Sequence, residues 1–454
     1  MEKTYQGLTP IFKKSAKRLI SGIILLLAFL PIKVKSAEIK IISDEETEQF
    51  LTDIISPLFD AANIVFDRNN VFIVEDNSLN AFVSDGNKMF IHTGTIIKSD
   101  TAEEISGVLA HETGHIMGGH ILRQKLKNQD MYEVSIISTI LAGATAAISG
   151  RGDAAMAIML GGQSSLINHY TNYRTEEERS ADEAAIKLLK TTKQSPAGIL
   201  NFMKKIKKDN ILSGKEETTY FRTHPITNDR IAFFENALKN SPYNKQSTND
   251  KFLQIKAKIK AYLQNPEQTF REYNLSRNDK PALYAHAITY MKMLKFNKAL
   301  DKINILLEQD NNNPFYYELK GQIYIETGKI NLAKQNFAKA YELLPNSPLM
   351  QINYAHIILE DNPSIKEANL AISLLNKSLI RNQNPISWLF LAKAYGIIND
   401  MSKANYASAE YSFRTGNFDI AKKQINEAKK HKVDNKLKLK LQDLEQRINT
   451  IHKK

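Results

Sequence analysis

The residues best equipped for chemistry lie between Ile105 and Leu122, in ISGVLAHETGHIMGGHIL, which holds His111, Glu112 and His115 in the spacing H-E-x-x-H. On a helix, positions i and i+4 share a face, so both imidazoles can reach one metal ion. Glu112, offset by one residue, can reach a water on that metal. Imidazole pairs of this kind suit zinc, and a neighbouring carboxylate can act as general base. Apolar Ile105, Val108, Leu109, Ile116 and Met117 predict a half-buried helix, with Asp100 and Glu103 as a capping box at its start. The pattern predicts a zinc peptidase centre. His120 lies nine positions after His111, roughly 900° round a continuous helix, and so on the opposite face. It is not expected to be a ligand. Gly114, Gly118 and Gly119 weaken the helix by about 1 kcal/mol each relative to alanine, which points to close packing there.

A third ligand must come from another element. Tyr170 to Lys190 predicts a second helix with acids early, where the macrodipole favours them. Glu176, Glu177 and Glu178 all compete for the role. Glu178 differs because Asp182 lies four residues on, with Ala181 and Ala185 leaving room for close approach. That pair could set one carboxylate on the metal and the other behind a ligating imidazole. Spacing alone leaves the choice open.

Several elements must position these groups. Ser43 and Glu46 predict the start of a helix continued by Phe50, Ile54 and Leu58. Short apolar runs at 71–74, 81–83 and 89–92, separated by turn residues, predict a small antiparallel sheet just ahead of the metal helix. An edge strand there could hold an extended substrate by main-chain pairing. His92 in the last run is expected to be structural. The uncharged stretch 134–150 and the apolar stretch 154–160 predict a helical hairpin flanking the cleft, with peripheral membrane contact through 134–160 as the alternative.

Residues 1–36 carry seven Lys/Arg against one acid, and an apolar run from Leu19 to Ile32 follows the basic cluster. Val34 and Ser36 then stand at the −3 and −1 positions of a cleavage site. This predicts an exported, periplasmic protein with a signal peptide at 1–36; an uncleaved leader anchored in the inner membrane is the alternative. Much of the formal charge of +12 belongs to the leader, and no lysine-rich block calls for nucleic acid. There is no cysteine, so thiolate ligation, thiol nucleophiles and disulfides are excluded.

Asn240 to Asp250 reads as a linker, dividing a peptidase domain at 37–245 from a second domain at 246–454. Counting Pro314 as position 1, Tyr317, Gly321, Tyr324, Gly328, Ala333, Phe337, Ala340 and Pro345 match a 34-residue tetratricopeptide repeat. One register earlier come Ala287, Tyr290 and Ala299, and weaker units follow at Ala355 and Ala371, at Trp388, Ala392 and Tyr395, and at Ala409, Gly416 and Ala421. Stacked pairs of this kind make a binding surface with no catalytic equipment of its own.

H-E-x-x-H at 111–115, E-x-x-A-D at 178–182 and T-H-P at 223–225 followed by Arg230 come in the order of the HtpX/Oma-type zinc metallopeptidases. Asn80-Ala81-Phe82 and Gly94 are also similar to that family. One departure is Thr175, where many members have arginine. The resemblance implies a mainly α protein, a zincin-like α+β domain followed by an α-solenoid of tetratricopeptide repeats. It implies one zinc ion on His111, His115 and Glu178, with Glu112 as base and Asp182 behind the ligands. It brings His224 to the cleft, either to stabilise an oxyanion or to occupy the fourth zinc position and hold the enzyme latent. It further implies misfolded or stalled outer-membrane proteins as substrates and the barrel assembly machinery as partner. The alternative is a chaperone or assembly scaffold in which proteolysis is occasional.

Overall fold

The computed structural model describes residues 40–84, 86–120, 123, 175–213, 220, 224–243, 249–360 and 362–451. The leader at 1–36, the segment 134–160 and Thr223 lie outside the described residues. Among the described residues no helix is long and apolar enough to cross a membrane.

The first helix, α1 (Glu45–Ala61), begins one residue later than the Ser43/Glu46 pattern suggests. Asp44 is the N-cap, accepting the Thr47 N–H at 3.0 Å, and Glu46 turns inward instead. Four strands follow the order β1-β2-β4-β3, where β1 is Ile41–Ile42, β2 Val71–Val74, β3 Ala81–Ser84 and β4 Lys88–His92. The sheet is mixed, not antiparallel: β1–β2 and β3–β4 are antiparallel, but β2 and β4 run parallel, with Val71 opposite Met89. The β3–β4 turn is a tight hairpin with Gly86 at φ +78° and Asn87 at φ +57°, as the Asp-Gly-Asn sequence favours. The segment 75–80, by contrast, carries the chain across to the far side of β4. Alternation of apolar residues sets which face is buried but not the neighbour or the direction. Phe72, Phe90 and Phe82 stack across three strands with both centroid separations at 4.9 Å, which pins the register on one face.

A short helix α2 (Thr93–Lys98) leads into α3 (Ala102–Met117), the helix that carries H-E-x-x-H. Its N-cap is Thr101, without a side-chain cap. The expected Asp100/Glu103 box is replaced by an ion pair from Asp100 to Lys205 at 2.9 Å, which ties the helix start to α5 (Ala197–Ser213). Ile105, Val108 and Leu109 are fully buried in the same core as Phe50, Leu51, Ile55 and Ile199. A further helix α4 spans 175–191, and α6 (Asn228–Lys239) follows.

Helix α7 (Asp250–Leu263) serves two cores. Phe252, Ile255 and Ile259 pack with the α3 core, whereas Ala257 and Ala261 pack with the next layer of helices. Lys258, on the same helix, is buried and pairs with Asp44 at 2.5 Å and Glu46 at 3.1 Å, and Tyr284 donates to Glu46 at 2.9 Å. Residues 41–454 accordingly form one compact unit.

After α8 (Pro266–Glu272), helices pair in sequence: α9 (Lys280–Lys292) with α10 (Phe296–Gln309), α11 (Pro314–Glu326) with α12 (Ile330–Leu343), and α13 (Pro348–Ile358) with α14 (Ile365–Arg381). Then come α15 (Pro385–Ile397), α16 (Met401–Arg414), α17 (Phe418–Lys429) and α18 (Asn435–Ile451). Gly321 lets α11 sit against the Phe337 ring of α12, where a Cβ would come within 2.8 Å. Turns between helices use one residue at positive φ: Leu294, Gly328, Asn399 and Gly416. Each is followed by the same backbone bond, seen in Lys295 to Tyr290, Lys329 to Tyr324, Asp400 to Tyr395 and Asn417 to Ser412. The protein is mainly α, with a small mixed sheet in the N-terminal part and a solenoid of helical pairs behind it.

Candidate metal centre

Helix α3 presents His111 and His115 side by side, their Nε2 atoms 3.1 Å apart. Helix α4 crosses it closely because residue 114 is glycine: a Cβ there would lie 2.7 Å from the Ala181 carbonyl oxygen. This is the packing that the glycine and alanine positions called for. The crossing sets Glu178 between the imidazoles, with its oxygens 3.3 Å from His111 Nε2 and 3.4 Å from His115 Nε2. Of the three competing acids, Glu176 is exposed and Glu178 enters the site.

His224 comes to the same point from the segment before α6. Its Nδ1 lies 2.9 Å from Glu178 Oε1 and 3.4 Å from His111 Nε2. One ligand atom from each of His111, His115, Glu178 and His224 lies within 4.8 Å of the others, and all four residues are buried. Donors about 2.0–2.1 Å from a tetrahedral zinc stand roughly 3.3 Å apart. The 3.1–3.4 Å separations among His111, His115 and Glu178 match that spacing, and a nitrogen and carboxylate donor set suits a borderline metal.

Around this cluster each group has a partner. Asp182 Oδ1 lies 2.9 Å from His111 Nδ1, on the side of the ring away from the cluster. Arg230, named in the sequence pattern but given no role there, grips both carboxylates. It reaches Asp182 through Nε at 2.7 Å and Nη2 at 2.8 Å, and Glu178 through Nη1 at 2.8 Å. Tyr220 packs its ring on His224 with centroids 4.7 Å apart. Only the arginine had a sequence signal, its fixed place after T-H-P. His92 stays apart from the centre, held by the Ser78 hydroxyl at 2.8 Å.

Glu112 is buried, 3.5 Å from His224 Nε2, and its carboxylate accepts a backbone hydrogen bond from Val83 on the edge strand β3. Burial raises its pKa, which favours proton uptake. Burial lowers His115 to about 3. Burial would also lower His111, but its hydrogen bonds to the Asp182 and Glu178 carboxylates outweigh that and bring it to about 9. Glu178 is held well below its ordinary range, because His224, His111 and His115 together overcome its burial. Two histidines, a third imidazole and one carboxylate thus gather at a buried point where they could hold a metal ion.

His120 is not one of the four clustered residues, but the expected reason, a place on the opposite helix face, does not hold. Helix α3 ends at Met117, so the chain does not carry His120 round to the opposite face. It folds back beside His115, with the two Nδ1 atoms 2.8 Å apart.

A helix bearing H-E-x-x-H, crossed by a second helix that supplies a carboxylate, defines a metallopeptidase. Residues 45–238 match peptidase family M48. The similarity to curated proteins extends further. The beta-barrel assembly-enhancing protease of Escherichia coli O157:H7 is 24% identical over 84% of this chain and 78% of its own length. A putative beta-barrel assembly-enhancing protease of Vibrio cholerae is 23% identical over 84% of this chain and 79% of its own length. Among solved structures, a thermophilic TPR protein in Thermus thermophilus overlaps 42% of this chain and 91% of its own at 18% identity and a TM-score of 0.23.

Proposed function

We propose that the protein is a zinc endopeptidase, exported to the periplasm, that acts in the assembly and quality control of outer-membrane proteins. The observation that carries the chemistry is the set of donor atoms from His111, His115 and Glu178 at zinc-like separations, with the Glu112 carboxylate beside it. One zinc ion per chain would be held by these three residues. Zinc there supplies a Lewis acid that lowers the pKa of water towards about 7 and polarises a peptide carbonyl. Glu112 takes the proton from the attacking water and passes it to the leaving amine. Asp182 accepts from His111 Nδ1 and holds that ring in one tautomer. The edge strand β3, beside α3, can pair with an extended substrate.

His224 has two possible tasks at this place. Its Nε2 beside Glu112 suits a donor to a developing oxyanion, and its Nδ1 beside His111 and Glu178 suits the fourth metal position of a latent enzyme. Substitution separates them: His224→Ala lowers cleavage in the first case and raises it in the second.

The cellular role rests on the relatives, whose names describe proteases that enhance beta-barrel assembly. Misfolded or stalled outer-membrane proteins as substrates and the barrel assembly machinery as partner follow from that reading, with the solenoid as the holding surface. The domain limits at 36 and 245 belong to the same proposal. A scaffold role draws support from the solenoid, which spans nearly half the chain without a metal centre among its described residues. Metal analysis of the purified protein with a casein-cleavage assay on wild type and Glu112→Gln tests the proposal. Stoichiometric zinc and cleavage lost in the variant are expected. Absence of zinc refutes the enzyme reading; a Glu112→Gln protein that still supports outer-membrane assembly favours the scaffold.

A further inference from the structure

We infer that His120 is a positioning residue for His115, accepting on its Nδ1 the proton that His115 carries when its Nε2 faces a metal. The inference rests on the metal centre proposed above, and it concerns a residue that the H-E-x-x-H pattern leaves out.

The local backbone is built to bring this ring back. Gly118 follows the last helical residue, and Gly119 takes φ +63°, a region that side chains with a Cβ rarely enter. The chain reverses there, and the Arg123 N–H bonds to the Gly119 carbonyl at 3.1 Å, starting a new turn. A Cβ on residue 118 would overlap the His120 imidazole, so glycine at that position makes space for it. The two glycines thus have separate tasks, a turn and a seat. His120 is 4% exposed, and its ring stands 4.9 Å from that of His115 at 75°.

Two imidazole nitrogens 2.8 Å apart attract each other only when one of them carries the proton. His115 settles which. Its Nε2 faces His111 Nε2 at 3.1 Å and Glu178 Oε1 at 3.4 Å, so a metal there requires a lone pair on Nε2 and the proton on Nδ1. His120 Nδ1 is then the acceptor. The arrangement parallels that of the other imidazole, where His111 Nδ1 faces Asp182 at 2.9 Å. Each candidate ligand ring therefore has its own acceptor, a carboxylate for His111 and a neutral imidazole for His115. Groups in this position fix ring orientation and raise ligand basicity.

The test measures zinc affinity of the purified full chain by competition with a chromophoric chelator. His120→Ala and His120→Leu remove the acceptor, whereas His120→Asn places an amide oxygen near the Nδ1 position. Affinity should fall roughly 10–100-fold in the first two and return most of the way in Asn. Nitrogen-15 NMR of the zinc-loaded wild type should show His115 protonated on Nδ1. Wild-type affinity in folded Ala and Leu variants would overturn the inference, as would a His115 protonated on Nε2. If both apolar variants fail to fold, the NMR tautomer alone decides. A wild type that binds no zinc sinks the metal centre itself, whereas one that binds zinc no better than its folded Ala and Leu variants sinks only the role of His120.

Discussion

Arg230 should matter more for stability than any other charged residue of the centre, and the structure sets the scale. Arg230 is 9% exposed; its guanidinium makes two hydrogen bonds to Asp182, one to the Pro225 carbonyl and an ion pair to Glu178, all between 2.7 and 2.8 Å. Arg230→Met leaves two buried carboxylates without their common counter-charge. Breaking a buried pair in this way costs about 3–5 kcal/mol. For a unit of about 150–250 residues, the size of the proposed peptidase domain, that corresponds to a fall in melting temperature of roughly 6–20 °C. Arg230→Lys keeps the charge but loses the planar fork, so it should recover only part of the loss. The loss should be largest in EDTA, because a zinc ion held as proposed on Glu178 would supply positive charge of its own. The assay is thermal unfolding followed by circular dichroism, with EDTA and with zinc. A melting temperature for Arg230→Met in EDTA within about 2 °C of wild type would refute the reasoning.

Other perturbations probe the crossing, the junction and the solenoid. Gly114→Ala gains up to about 1 kcal/mol of helix propensity, yet its Cβ meets Ala181 backbone atoms. It should therefore push α4 away, lower the melting temperature and weaken zinc binding together; unchanged zinc affinity would show that the crossing does not set the site. Lys258→Met strands Asp44 and Glu46 in the α7 junction and should cost about 3–5 kcal/mol, read by denaturant unfolding. Glu318 lines a cavity beside Lys258 of α7 and Tyr284 of α9, and burial raises its pKa to about 7. The folded state thus holds its proton more tightly than the unfolded chain, an advantage complete below pH 4.5 and lost as pH rises through 7. Glu318→Gln should melt with wild type near pH 4.5 and above it at pH 8, values chosen to bracket that shift. Identical melting at both pH values would remove Glu318 as the cause.

Much of this protein is legible along the chain because its signals are local. H-E-x-x-H needs only one helical turn to place His111 and His115 together, and Gly321, Gly328 and Ala333 hold their places within one 34-residue packing unit. Even there, the chemistry of a turn can be hidden. Leu294 and Asn399 occupy positive φ where Gly328 and Gly416 announce it, so those two turns carry no glycine to mark them. The caps moved by a residue or more for a similar reason: Glu46 and Asp100 have stronger partners in Lys258 and Lys205, far along the chain.

By itself the sequence determined the reactive groups, the helices that bear them and the helical repeats behind them, because each depends on neighbours within a few turns. Tertiary structure decided the rest. It chose Glu178 from three adjacent acids through the Gly114–Ala181 crossing, ran β2 parallel to β4, and gave Arg230 two carboxylates to hold. It also ended α3 at Met117 and turned His120 back onto His115. These outcomes depend on distances between segments far apart along the chain, or on how a helix end meets its surroundings, which periodicity and spacing do not encode.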